Sequence, residues 1–410
     1  MLHPLAGRKL PRTLRAHNAA RLAAVWPEGV KSADYAQLVA RIDTGPLHCG
    51  DRIEVFHAGA DAFAAVQKAI EEAETEVLVE TYILKDDDTG HGLLNLLARA
   101  VQRGVKVCVL ADAAGSWSTK RKFWRQMENH GIETRLFNPL IGRFRDLLLR
   151  DHRKIIVVDR RIAFTGGMNI SNEYGSSISV EGGTVWRDSH VRLERSSAWE
   201  MAVVFNEGWV RAGGIPLRLT SYQASSAEPP RIMVLDSRSG RGHQETASIL
   251  AVTMAAARQR LWITNAYFAP HPGVLQGMCR AARLGVDVRL LLPGKSDMPI
   301  VRRAGHGSYA TLLASGVRIF EYQPAMLHAK TLLADNFVSM IGSSNLDYRS
   351  YYFNAECNVL ILDAETGDGM AKTFTDDLSH CVEITRSAWS ERSWVKKWGD
   401  ALARVLSPLL

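Results

Sequence analysis

The feature that most limits what this chain can fold into is one unusual spacing that occurs twice. "DHRKIIVVDRRIAFTGGMNIS", residues 151 to 171, and "LHAKTLLADNFVSMIGSSNLD", residues 327 to 347, share a single skeleton. In both, His-x-Lys is followed by four residues and an Asp, then six residues, Gly-Gly or Gly-Ser, one residue and an Asn. The histidines, His152 and His328, lie 176 residues apart. That offset is the size of a domain and not of a solenoid repeat, so the fold must build one unit twice.

The flanking sequence repeats as well. "AIEEAETEVLVETYILKDDDTGHGLLNLLARAVQRGVKVCVLADAAGS" reads as helix, strand, helix, strand, and "MAAARQRLWITNAYFAPHPGVLQGMCRAARLGVDVRLLLPGKSD" repeats that order. Each second helix ends at a Gly followed by Val (Gly104, Gly285), a C-cap before a strand. A further helix and strand then precede each His-x-Lys. Strands alternating with helices of ten to fifteen residues predict α/β units around a largely buried, mixed sheet. The seam is expected in "SYQASSAEPPR", where Ser, Ala and Pro replace any periodicity. The resulting division is an N-terminal basic arm over 1–50, a first domain over 51–220, a second over 221–385 and a C-terminal amphipathic tail over 386–410.

With 410 residues, 46% hydrophobic and 23% charged, the chain is long enough for two such cores. A net charge of +7 favours an anionic partner and leaves nucleic acid, anionic lipid and phosphorylated small molecules open. Five scattered cysteines without a Cys-x-x-Cys pair predict separate reduced thiols. No apolar run of about 18 residues occurs, so no transmembrane helix is expected. The Arg-rich start lacks the apolar core of a secretory signal and reads as a basic amphipathic arm, with an organelle transit peptide the alternative on composition.

Residues i and i+2 of a strand share a face, so His152 sides with Lys154, and His328 with Lys330. Asp159 and Asp335, seven positions beyond each histidine, have the opposite parity and fall where two short strands would turn, so they are expected to orient the hairpin. The small residues of the next loop (Gly167, Ser343) and the asparagines Asn169 and Asn345 suit a phosphate held at a helix N-terminus. Two such units face to face would surround one phosphodiester. One histidine then attacks phosphorus while the other protonates the leaving oxygen and later deprotonates the incoming alcohol or water. Lysines stabilise the non-bridging oxygens. No metal or other cofactor is implied, because a protonated Lys beside each His repels a cation. Each histidine needs a carboxylate on its other ring nitrogen, and Asp188 in "VWRDSHVRL" and Glu356 in "FNAECNVLI" are the candidates. Asp188 follows its Asn by 19 residues and Glu356 by 11, which suggests an insertion in "EYGSSISVEGGTVW". His57, His190 and His306 read as ordinary polar residues.

The two complete copies resemble the signature of the phospholipase D superfamily. Within it, "ILKDDDTGHGL", "NAYFAP", "SDMPIVR" and "GSSNLDYRS" are most similar to bacterial cardiolipin synthases, in particular those of the B type. The resemblance implies two α/β/α/β/α sandwich domains with one active site at their interface. It adds Asp159 and Asp335 to the catalytic set of His152, Lys154, His328 and Lys330, and makes His152 the nucleophile, an assignment that the symmetry of the motifs leaves open. The implied reaction passes a phosphatidyl group between two phosphatidylglycerol molecules through a phosphohistidine, on the cytoplasmic face of a bacterial inner membrane. One chain carries both motifs, so a monomer suffices. Hydrolysis, transfer from phosphatidylethanolamine or to another alcohol, and more distantly a metal-independent nuclease are the alternatives; no interleaving of aromatic and basic residues suggests a nucleic-acid track.

Two stretches could meet lipid. "WSERSWVKKWGDALARVLSPLL" would align Trp394, Trp398, Ala401 and Val405 along one helical stripe, with a helix packed on the domain as the alternative. "LIGRFRDLLLRDHRK" could line an acyl-chain entrance or belong to the core.

Overall fold

The computed structural model describes residues 26–42, 45–139, 148–175, 185–219, 230–238 and 245–407. Residues 221–229 of the expected seam, most of the suspected insertion, the Arg-rich start through residue 25 and residues 140–147 of the suspected acyl entrance lie outside them.

After a helix α1 (Ala33–Ile42), the first half runs β1 (His48–Cys49), β2 (Ile53–Phe56), α2 (Gly59–Glu71), β3 (Glu76–Thr81), α3 (Asp88–Gln102), β4 (Lys106–Asp112), α4 (Arg121–Asn129) and β5 (Glu133–Phe137). It continues through β6 (Arg150–Asp151), β7 (Ile155–Val158), β8 (Ile162–Gly166), β9 (His190–Glu194) and α5 (Ser196–Arg211). The second half repeats this as β10 (Pro230–Ser237), α6 (Glu245–Ala256), β11 (Arg260–Thr264), α7 (Pro272–Arg283), β12 (Asp287–Pro293), α8 (Pro299–Ser315) and β13 (Arg318–Tyr322). Then follow β14 (Thr331–Ala334), β15 (Val338–Gly342), α9 (Tyr348–Tyr352), β16 (Asn354–Leu362), α10 (Ala364–Leu378), β17 (Cys381–Ile384), α11 (Arg386–Ser390) and α12 (Trp394–Val405).

The strand orders are the same in both halves. One sheet runs β2-β9-β8-β7-β3-β4-β5; the other runs β10-β16-β15-β14-β11-β12-β13, with β1 added at one edge and β17 at the other. Strands β3, β4 and β5 are mutually parallel, as are β11, β12 and β13, and the remaining pairs along these orders are antiparallel, while β6 adds a parallel pair with β16. Gly104 and Gly285 close α3 and α7 with φ of +90° and +100°, the left-handed C-cap that a side chain would strain.

Each sheet carries helices on its outer face: α2, α3 and α4 over the first, and α6, α7 and α8 over the second. The inner faces share one apolar core. Leu78, Ile155 and Val157 of the first half belong to it with Leu333, Ile341 and Val359 of the second, and α5 and α10 contribute Phe205 and Phe374. All-apolar strands such as β7 ("IIVV") follow from burial on both faces.

The described part of the expected arm, residues 26–42 and 45–50, is not separate. Tyr35 and Val39 of α1 are fully buried in the second half's outer core, the Tyr35 hydroxyl meets Thr253 Oγ1 at 2.7 Å, and β1 pairs with β10. The amphipathic spacing of α1 was hidden in a stretch whose charge dominated its reading. Among the described residues no helix is long and apolar enough to cross a membrane. The five cysteines are all free.

Candidate active site

Each His-x-Lys lies just before the first strand of a hairpin (β7–β8, β14–β15), and its lead-in residues are held by the other half. β6 pairs in parallel with β16, and the His152 amide donates to the Ala355 carbonyl at 2.9 Å. Leu327 bridges Arg187 in parallel, and the His328 amide donates to the Arg187 carbonyl at 2.7 Å. Each histidine is therefore set beside the carboxylate that follows in the opposite half. His152 Nδ1 is 3.0 Å from Glu356 Oε2, and His328 Nδ1 is 2.8 Å from Asp188 Oδ2.

The carboxylates are themselves fixed. Glu356 accepts from the hydroxyls of Ser343 and Ser350, and Asp188 accepts from the Ser189 amide at 2.7 Å. Burial pushes both acids up, but the facing lysines, histidines and hydrogen-bond donors outweigh it, so both stay below the usual carboxylate range. A carboxylate on Nδ1 fixes the tautomer and leaves Nε2 as the reactive nitrogen. Burial lowers His152 to about 4 and His328 to about 3, so both are neutral at pH 7 in the free protein.

The lysines lie within the same electrostatic field. Burial lowers Lys154 to about 7 and Lys330 to about 8; each is held up by Glu356 and Asp188, and the charge of Lys330 lowers Lys154 further. Lys154 Nζ donates to its own half's His152 carbonyl at 2.6 Å, and Lys330 Nζ lies 3.0 Å from His328 Nε2. Aromatic rings wall the site. Tyr82 stands 4.8 Å from the His152 ring, and Tyr174, Trp186 and Tyr267 lie 5.3–5.7 Å from that of His328. Tyr82 and Tyr267 both follow the end of a parallel strand, but the register sets Tyr82 against Ala266 and Ile83 against Tyr267, so the two rings are not equivalent in the repeat; Tyr174 and Trp186 have no counterpart in the motif and went unread.

Asp159 and Asp335 are not in the site, which corrects their place in the catalytic set. Each begins the hairpin turn at the far end of its strand, with φ of +52° and +51°. Asp159 accepts from the amides of Glu74, Thr75 and Glu76, and Asp335 from those of Arg258, Gln259 and Arg260. They tie the hairpin to the start of β3 and β11.

Gly167 and Ser343, expected to cradle substrate, support the orienting acids instead. A Cβ on Gly167 would fall 2.1 Å from Asp188 Oδ1, so only glycine fits beside that short acid. Where the longer Glu356 stands, a serine fits and donates to it. Their amides are also taken, by the carbonyls of Ser189 and Cys357. The Asn169 side chain accepts from the Ile83 amide and donates to Tyr174, while Asn345 Oδ1 is buried with no hydrogen-bond partner among the described residues. His190 is buried next to Gly166, and His306 pairs with Glu321. Among the described residues no group of three or more His, Cys, Asp or Glu is placed to hold a metal ion.

This geometry offers two neutral imidazoles with carboxylate-held Nδ1 atoms and two ammonium groups around one centre, an arrangement suited to in-line displacement at an anionic phosphodiester. The family described as "Cardiolipin synthase, PLD-like domain" matches residues 66–194 and 250–378. The chain is 32% identical to cardiolipin synthase 1 of Bacillus anthracis over 98% of its own length and 81% of that protein. It is 33% identical to cardiolipin synthase A of Pseudomonas putida over 93% of its length and 80% of that protein. Phosphatidylserine synthase of Haemophilus influenzae, at 14% identity, superposes with a TM-score of 0.72 over 91% of this chain and 100% of that one, a likeness of fold.

Proposed function

The chain belongs to the phospholipase D-like cardiolipin synthase family, and from that premise we propose that it joins two phosphatidylglycerol molecules into cardiolipin and releases glycerol. The observation that carries the mechanism is the pair of histidines with crossed carboxylates. His152 Nε2 attacks phosphorus, the glycerol oxygen leaves with a proton from His328, and a phosphatidyl-histidine remains. His328 then takes the proton of a second phosphatidylglycerol's hydroxyl as that oxygen attacks phosphorus and frees His152. Two substrate molecules give one cardiolipin and one glycerol.

Lys330 Nζ lies against the His328 ring, 2.8 Å from Nδ1 and 3.0 Å from Nε2, so it does not by itself distinguish the two histidines, and the division of roles follows the family pattern. The negative phosphodiester raises the pKa of both histidines on arrival, which allows His328 to act as an acid. Lys154 and Lys330 neutralise the non-bridging oxygens, with Asn169 and Asn345 as further candidates. We propose the B type as its subtype on the strength of "NAYFAP", "SDMPIVR" and "GSSNLDYRS". A peripheral position on the cytoplasmic face of the inner membrane, with one chain sufficient for turnover, completes the reading.

The test uses purified protein with phosphatidylglycerol labelled in headgroup or acyl chain, in mixed micelles without added metal. Cardiolipin and free glycerol, both absent with His152→Ala and His328→Ala, are expected. Phosphatidic acid alone would make the protein a hydrolase and overturn the transfer step.

A further inference from the structure

Helix α12 is packed with its polar side inward. Asp400 is buried and pairs with Arg392 at 2.7 Å, and His306 lies 3.8 Å from it. Arg404 donates to the Gly307 carbonyl at 2.8 Å, and Ala403 closes a small cluster with Ala269, Val301 and Ala304 of the second half. On the opposite side stand Trp394, Trp398, Leu402 and Val405, exposed by 73%, 73%, 68% and 74%. An amphipathic helix that only stabilised its domain would bury that face. Here the inward contacts fix the helix with its apolar arc turned to solvent.

The position of that arc adds a second observation. Tyr267 packs against the Ala403 cluster and places its ring 5.7 Å from that of His328, so one side chain separates α12 from the reacting histidine. Beside it, Met298 and Ile300 are exposed at the start of α8, next to Asp297, which accepts from the Tyr267 hydroxyl at 2.9 Å. In the first half the corresponding strand-end segment places Trp117, 77% exposed, two residues after Gly115, which packs on Tyr82 beside His152. Large apolar side chains therefore stand exposed near both histidines, at the carboxyl ends of the parallel strands. Lys396 and Lys397 are exposed along the same helix, and the chain as a whole carries a net charge of +7.

We propose that the outward face of α12 is the membrane-docking surface, lying in the boundary between headgroups and acyl chains of an anionic bilayer so that the active-site mouth opens onto lipid. Tryptophans at that depth with lysines beside them match the chemistry of such a boundary. The identity of the bilayer as the occupant rests on the lipid-transfer reading above; the exposed arc and its orientation do not.

The experiment compares the full-length protein with Trp394→Ala/Trp398→Ala/Leu402→Ala by flotation with vesicles of phosphatidylglycerol and phosphatidylcholine, and by cardiolipin synthesis in vesicles and in detergent mixed micelles. The expected result is vesicle binding and vesicle activity reduced by about tenfold or more, with melting temperature and micellar activity within about twofold. Trp394→Phe/Trp398→Phe should still float but lose the quenching of tryptophan emission by lipids brominated on the acyl chains. Lys396→Gln/Lys397→Gln should narrow the preference for phosphatidylglycerol vesicles over pure phosphatidylcholine. Undiminished flotation of the triple variant overturns the proposal. So does self-association that the triple substitution abolishes while flotation persists, since a second copy would then be the occupant. A wild-type protein that floats through α12 yet makes no cardiolipin in micelles would sink the functional reading and leave this one standing.

Discussion

Glu356 Oε2 lies 3.0 Å from Nδ1 of His152, a residue 204 positions earlier in the chain and in the other half of the molecule. Asp188 stands in the same relation to His328 across 140 positions. Neither half can therefore orient its own histidine, and defects should group across the halves. With phosphatidylglycerol, Glu356→Gln and Asp188→Asn should each lower kcat by about 10³–10⁴-fold, by loss of the tautomer and of imidazolium stabilisation. With a phosphatidyl ester of p-nitrophenol, whose leaving group needs no proton, His328→Ala and Asp188→Asn should both recover in the formation of the phosphohistidine, and His152→Ala and Glu356→Gln should not. Recovery of Glu356→Gln in place of Asp188→Asn would break the crossed assignment.

Asp335 and Asp159 predict the opposite behaviour. Asp335→Asn retains an acceptor and tolerates the left-handed backbone of the turn, but loses the anionic acceptor that satisfies three amides. A stability loss of about 1–3 kcal/mol is expected, with kcat per folded molecule within about threefold. Urea unfolding beside an active-site titration separates the two quantities. A large fall in kcat at unchanged stability would restore this residue to the chemistry.

The lysines set an alkaline limit. Both are held below 10.5, Lys154 at about 7 and Lys330 at about 8, by burial first. They are protonated below those values and lose charge as pH rises through them, so attraction for the phosphodiester weakens upward from about pH 7. kcat/KM should fall on that side, and because His328 must gain a proton and sits at about 3 in the free protein, it should rise toward acid until about 4, where His152 becomes protonated and ceases to be a nucleophile. In kcat the alkaline limb should lie higher, because bound phosphate raises both lysines. Lys330→Arg should remove its share of the alkaline limb at a cost in geometry. A rate profile flat to pH 10 would count against both lysine assignments.

The repeat, the α/β class and the residue types of the site were legible because each left a local mark: a spacing, a Gly at a helix end, an acid entering a strand. The turn position of Asp159 followed from its parity together with its place between two short strands. What could not be read is which half serves which. That depends on β6, two residues long, pairing with β16, and so short a strand has no periodicity to detect. The fit of Gly167 to Asp188 and of Ser343 to Glu356 depends on an approach of a few ångströms between neighbouring strands, which spacing does not encode. The stripe on α12 was visible, but the side that faces inward is decided by His306 and Gly307, far away in sequence.

Arg153 provides the last test, because it departs from the symmetry. It stands between His152 and Lys154, where the second copy has the small Ala329, and its guanidinium is 2% exposed. It meets Asp236 of β10 in the second half and lies 3.5 Å from Glu80 of β3 in the first. Burial lowers the guanidinium's pKa, but the surrounding acids outweigh it and raise it; burial, then Asp151, pushes Glu80 well up. The cluster thus joins the halves one residue from the proposed nucleophile. Arg153→Ala leaves the partly exposed Asp236 with Arg238 alone, at 3.7 Å, and should cost about 2–4 kcal/mol. Arg153→Met/Asp236→Asn fills more of the volume and leaves no unpaired charge there, so it should recover at least about half of that loss. Equal stability of the two variants in urea unfolding would mean that the space occupied by Arg153, and not its charge, holds the halves together.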